Sequence, residues 1–187
     1  QFAHALHGLG VRPGDRVMIV MPNMPQMIIA YYATLKIGGV IVLPNPDAKA
    51  AQIVEQVEET SAKVLVTLKD FAGLANKVQE KNDVKIVLAN IRDVVSGRVY
   101  KELLGRWNAA GFGEEEIPWV DEGQTMESLI LDAPKTRPEI EVDSDAMANI
   151  LFTSGTTDEP KGVCLTHENL VANSLQTRHW IPDVKYG

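Results

Sequence analysis

An α/β fold, with a mainly parallel sheet flanked by helices, is predicted for this chain by three observations. Short apolar runs rich in Val, Ile and Leu alternate with segments of helical periodicity, which is the pattern of a sheet with crossover helices. The length of 187 residues suits one domain of ordinary size with a real core. The apolar content of 45% is normal for a globular chain.

The elements can be read in order. Phe2, Leu6 and Leu9 stand at helical spacing, with Gly10 as the stop, and Arg16 to Met21 reads as a buried strand. Asn23 is placed to cap the next helix, with Pro25 in its first turn and Gly38 just past its end. Met27, Ile28, Tyr31, Tyr32 and Leu35 spread around that helix, which predicts a sandwiched element with both tyrosines in the core. Val40 to Leu43 is a second strand and Ala50 to Glu59 a further helix. Val64 to Thr67 and Val84 to Leu88 read as strands, separated by a helix around Leu74 to Gln79. Between Ile91 and Asp143 only Tyr100 to Asn108 carries a helical pattern. Ala148 to Thr153 is then a strand, Gly162 to Leu165 its partner, and Thr166 caps a helix from His167 to about Arg178. His167 takes a structural place in that first turn, and His179 and Trp180 are expected to pack at the helix end.

Charge is unevenly spread. Glu114 to Asp145 holds eleven acids against Lys135 and Arg137, so this stretch carries −9 in a chain whose net charge is −7. With Pro118, Pro134 and Pro138 and no sustained period, residues 114–145 read as a solvated connection, not a cation site. No concentrated basic face is present, so nucleic acid is not an expected partner. No apolar run reaches the length of a membrane span. Cys164 is the single cysteine, so no intramolecular disulfide forms, and its place between Val163 and Leu165 marks it as a small buried hydrophobe. The cytoplasm is the expected compartment.

One run is far more specific than the rest. Residues 152–162 read Phe-Thr-Ser-Gly-Thr-Thr-Asp-Glu-Pro-Lys-Gly. Gly155 and Gly162 let the backbone come close to a ligand. The hydroxyls of Thr153, Ser154, Thr156 and Thr157 and exposed N–H groups can donate to phosphate oxygens, while Lys161 adds a mobile positive charge. A run this dense is not an ordinary polar turn. Nor is it a Walker A loop: Pro160 stands where the second glycine belongs, and Gly162 follows Lys161 in place of Ser or Thr.

The run resembles the phosphate loop of the adenylate-forming family, which includes acyl-CoA synthetases, luciferases and peptide-synthetase adenylation domains. Its one departure is Asp158, where the family has a glycine. That aspartate reads either as a tolerated substitution on the outer edge or as the sign of an impaired or specialised loop. Leu35 to Val40 followed by Leu43-Pro44 is similar to an upstream motif of the family, and Gly162 to Leu170 to the strand and helix after its loop.

The resemblance implies an incomplete N-terminal domain over residues 1–187, with the adenine-binding segment, the hinge and the catalytic lysine of a C-terminal domain outside it. It therefore implies no catalytic residue in this chain, which alone is expected to be inactive. The implied substrates are ATP, a carboxylic acid and coenzyme A, with Mg²⁺. Thr153, Ser154, Gly155, Thr156, Thr157, Lys161 and Gly162 would bind the phosphates, and Thr156 is the hydroxyl assigned to the metal. Asn173 to Asp183 looks most like the long-chain fatty acyl-CoA synthetases. Other readings are an adenylation domain or acyl-AMP ligase loading a carrier-protein thiol, and a non-catalytic nucleotide-binding remnant. Association as a homodimer is left open.

Overall fold

A computed structural model describes residues 1–45, 48–91, 96–112, 125–153 and 160–181. Helix α1 (Phe2–Gly8) leads to strand β1 (Arg16–Val20), then α2 (Pro25–Lys36), β2 (Val40–Leu43), α3 (Ala50–Thr60) and β3 (Val64–Leu68). A single 3-10 turn (Lys69–Phe71) enters α4 (Ala72–Lys81), followed by β4 (Lys85–Ala89), α5 (Gly97–Ala109) and α6 (Met126–Asp132). The chain then runs through β5 (Met147–Thr153), β6 (Lys161–Thr166) and α7 (His167–Trp180).

The six strands form one sheet in the order β4-β3-β1-β2-β5-β6. All neighbours pair in parallel except β5 and β6, which are antiparallel. Right-handed crossovers explain the layers. The step from β1 to β2 runs one way along the sheet, and the step from β2 back past β1 to β3 runs the other, so α2 and α3 lie on opposite faces. Helix α4 packs beside α3, whereas α1 packs against α2 and α6. Strands buried on both faces carry near-continuous apolar sequence: Val17, Met18, Val64, Leu65, Val66 and Ile41 have essentially no exposed surface.

Most element ends have local chemical causes. Pro25 opens α2 at a position where its missing N–H costs nothing, but the residue before it in extended conformation is Met24. Met24, not Asn23, is therefore the N-terminal boundary, and no side chain caps it. Gly38 follows α2 at φ +68°, with Pro13 Cβ 3.2 Å from where its own Cβ would stand. Helices α5, α6 and α7 start on hydroxyl caps: the N–H groups of Val99, Ser128 and Asn169 donate to the side chains of Ser96, Thr125 and Thr166. At α7 the return bond also forms, Thr166 N–H donating to Asn169 Oδ1 at 3.0 Å.

Two expectations are corrected. Helix α2 is not sandwiched, because Ile28, Ile29 and Tyr32 face solvent; only Tyr31 of the tyrosine pair is half-buried. The acidic stretch 114–145 is not wholly a solvated connection. Within it α6 packs on α1, Met126 is buried, and Thr125 forms a parallel bridge to Leu88. Residues 113–124 lie outside the described residues.

Candidate functional site

Strand β5 ends at Thr153 and β6 begins at Lys161, so the residues between them join two antiparallel neighbours. Phe152 pairs with Gly162 and Thr153 with Lys161, and Thr153 Oγ1 donates to the Lys161 carbonyl at 3.5 Å. Thr153, Lys161 and Gly162 are all exposed. Lys161 forms no ion pair among the described residues. The structure thus brings a hydroxyl, an ammonium group and a glycine together at the root of the loop. Ser154, Gly155, Thr156 and Thr157, with Asp158 and Glu159, lie outside the described residues.

Because β5 is parallel to β2, the root lies at the carboxyl edge of the parallel strands, where ligands of open α/β sheets bind. The crossover from β1 leads to β2 and that from β3 leads to β4, so the connections diverge between the neighbours β1 and β3. A cavity of about 390 Å³ opens on that edge. Met21 and Asn23 after β1, Pro44 after β2 and Leu151 of β5 line it, with Phe71 and Trp107 closing one side. Sequence reasoning missed this cavity. Its wall is an aromatic cluster, Phe71 lying 4.9 Å from Trp107 and 4.7 Å from Phe112 between ring centroids. Tyr100 donates to the Asp70 carboxylate and ties α5 to the turn after β3. Trp107 and Phe112 fall in the stretch with the weakest sequence pattern; the helical pattern over Tyr100 to Asn108 includes Trp107, and nothing in the sequence signalled Phe112.

Behind the loop, Asn149 of β5 is buried between Ile41 of β2 and Leu165 of β6 and hydrogen-bonds Tyr31 of α2. Burial raises the Tyr31 hydroxyl pKa, and the Asn149 bond acts against that rise. His167, at the first position of α7, has a buried Nε2 without a hydrogen-bond partner, and burial holds its pKa below the ordinary value. It stands in the first turn of the helix, where the sequence placed it.

Other expectations fail here. Cys164 is exposed, because β6 is paired on one side only among the described strands and no described helix covers Cys164. His179 and Trp180 do not pack at a helix end: α7 buries none of its residues, and Trp180 is 84% exposed. Among the described residues no three His, Cys, Asp or Glu side chains are grouped to hold a metal. Thr156, the residue assigned to Mg²⁺, lies outside them. No described helix is long and apolar enough to cross a membrane.

Comparison with known proteins returns a family match over residues 1–186, to the family described as AMP-binding enzyme. The chain is 32% identical over 177 residues to 4-coumarate–CoA ligase 2 of Nicotiana tabacum, covering 93% of this chain and 27% of the relative. It is 29% identical over 191 residues to the long-chain-fatty-acid–CoA ligase of Bacillus subtilis strain 168, covering 95% of this chain and 32% of the relative. Among solved structures, a long-chain-fatty-acid–CoA ligase from Archaeoglobus fulgidus superposes with a TM-score of 0.72 at 24% identity, over 94% of this chain and 30% of that one. The chain therefore spans about a third or less of the length of these relatives.

Proposed function

The chain belongs to the AMP-binding enzyme family, and on that premise we propose that it forms part of a longer ATP-dependent acid–thiol ligase. In the reaction proposed, a carboxylate oxygen attacks the α-phosphorus of ATP. The bond from that phosphorus to the β-bridging oxygen breaks and pyrophosphate departs. A thiol, that of coenzyme A, then attacks the acyl carbonyl and displaces AMP. Adenylation is needed because a carboxylate is a poor electrophile, whereas AMP is a good leaving group.

What supports this reading is the root of the loop: Thr153, Lys161 and Gly162 are exposed together at the carboxyl edge of the sheet. Thr153 Oγ1 can donate to a departing phosphate oxygen, the Lys161 ammonium can offset its charge, and no side chain at Gly162 stands in the way. Ser154, Gly155, Thr156 and Thr157 complete the proposed phosphate grip. Mg²⁺ would accompany the triphosphate and spread its charge, with Thr156 as the residue assigned to it. The ligand set for the adenine, and the catalytic lysine, are assigned to polypeptide beyond these residues. The proposed location is cytoplasmic, in keeping with a single cysteine and no disulfide.

For the acid we propose a long-chain fatty acid, supported by the Asn173 to Asp183 run and the Bacillus relative. The tobacco relative supports an aromatic acid instead. Pyrophosphate–ATP exchange on the longer polypeptide, with palmitate and 4-coumarate in separate assays, tests both levels. Exchange with palmitate alone is the expected result, and exchange with coumarate alone reassigns the acid. No exchange with a panel of carboxylic acids would sink the ligase reading. The 187-residue chain alone is expected to give none.

A further inference from the structure

Strand β5 changes face partway along. Met147 lines a groove of about 740 Å³ on the α3 side of the sheet, yet Asn149, two residues on, reaches Tyr31 of α2 on the other side. In a regular strand, residues two apart share a face. The pairing with β6 gives the reason they do not here. Met147 stands opposite Thr166 and Asn149 opposite Leu165, so two steps on β5 meet one on β6, and Ala148 is the extra residue of a β-bulge. Beyond the bulge, the pairs Asn149–Leu165, Leu151–Val163 and Thr153–Lys161 share the α2 face, while Ile150–Cys164 and Phe152–Gly162 share the other.

This bulge decides what stands at the root of the loop. Continued without it from Met147 and Thr166, the ladder would set Phe152 opposite Lys161 and Thr153 opposite Pro160. The Thr153 hydroxyl and the Lys161 ammonium group would then point to opposite faces, and Pro160 brings no N–H to a ladder. Apolar pattern does not choose between the two registers. Ile150, Leu151 and Phe152 are consecutive, and Val163 and Cys164 are both exposed, so either alternation presents apolar residues to both faces.

Asn149 does choose. It is 5% exposed, its amide donates to the Tyr31 hydroxyl, and its Oδ1 has no hydrogen-bond partner among the described residues. A buried amide satisfied at one end only is worse for stability than a leucine of similar size, so stability does not account for it. Without the bulge Asn149 would face the groove and lose its bond to Tyr31. We propose that Asn149 is a positioning residue: through Tyr31 it holds the bulge at Ala148, and the bulge sets Thr153 and Lys161 side by side for the departing pyrophosphate. The part that concerns pyrophosphate rests on the ligase reading; the part that concerns register does not.

Disulfide trapping in the longer protein reads the register. In a Cys164→Ser background, Leu151→Cys with Val163→Cys sets two thiols directly opposite across the bulged ladder. Ile150→Cys with Val163→Cys sets them opposite only without the bulge. With Asn149 present, the first pair is expected to cross-link and the second not, by mass spectrometry of the linked peptides. Asn149→Leu is expected to raise cross-linking of the second pair relative to the first on the order of tenfold. Without the added cysteines, Asn149→Leu is expected to lower kcat for pyrophosphate exchange on the order of tenfold, with the acid KM and the urea midpoint unchanged. Tyr31→Phe is expected to act in the same direction, and the double substitution to add little to Asn149→Leu, because both remove one bond. If Asn149→Leu does not fold, Tyr31→Phe carries both readouts. Cross-linking that neither substitution changes overturns the proposal, whatever happens to kcat. A shifted register with kcat intact overturns the positioning role. No exchange by the unsubstituted protein sinks the ligase reading and leaves the register result standing.

Discussion

At Gly162 a single methyl group would stand 3.0 Å from Ile150 Cγ2 and 3.6 Å from the Phe152 ring. A side chain there must therefore push the Ile150 side chain aside by a few tenths of an ångström. Gly162→Val is expected to cost about 1–3 kcal/mol by overpacking, read as a shift in the urea midpoint with an unchanged slope. Lys161 lies beside it and can be tested for charge alone, being exposed and without an ion pair among the described residues. In the longer protein, Lys161→Ala is expected to lower kcat for adenylation on the order of tenfold or more and leave KM for the acid nearly unchanged. A rise in the acid KM with kcat intact would place Lys161 at the acyl pocket instead.

The elements show where local sequence was enough and where it was not. Helices α5, α6 and α7 begin at hydroxyl caps. Thr166 was legible in advance because a hydroxyl residue there precedes a run from His167 to Trp180 that contains no Gly or Pro. Thr125 was not, because its helix is only seven residues long and sits in an acidic stretch whose composition reads as solvated. Helix α3 ends on Ser61, which holds the left-handed conformation at φ 49° usually taken by glycine. Ser61→Gly is expected to raise stability by about 1 kcal/mol through relief of that strain. A thermal melt would show it as a rise in Tm; a fall would mean that the Ser61 side chain holds more of the α3–β3 connection than its backbone strain costs.

Across the whole molecule, the amino edge of the sheet is tied by charge. Lys63 Nζ meets Asp15 Oδ2 at 2.8 Å, joining the connection before β3 to the one before β1. Burial acts to raise the Asp15 pKa, but the Lys63 hydrogen bond, the Arg12 N–H and the charges of Lys63 and Arg16 together hold it below its ordinary 3.8. A carboxylate with a depressed folded pKa adds stability that is fully present above the unfolded value and is lost as pH falls through the folded one. Asp15→Asn should therefore lower stability at neutral pH, and the gap to the unsubstituted chain should close below about pH 3.8 in acid unfolding curves. A gap that persists in strong acid would assign the loss to the Arg12 turn geometry and not to charge.

Much of this protein could be read from sequence alone because the causes are local. The alternation of apolar runs with helical periods set the fold class, the hydroxyl-rich run marked the site proposed for phosphate, and Thr153, Lys161 and Gly162 stand together at its root. What local pattern cannot carry is which strands become neighbours. Pairing β2 with β5 brings residues about a hundred positions apart into register, Ile41 beside Asn149, and no periodicity encodes that choice. Strand order decided the rest. It made β6 the last strand in order, left Cys164 exposed where its apolar neighbours suggested burial, and turned Ile28 and Tyr32 of α2 to solvent. It also gathered Phe71, Trp107 and Phe112 into one wall at the carboxyl edge. Burial depends on what packs against a side chain from a distance in sequence, so only the tertiary structure determines it.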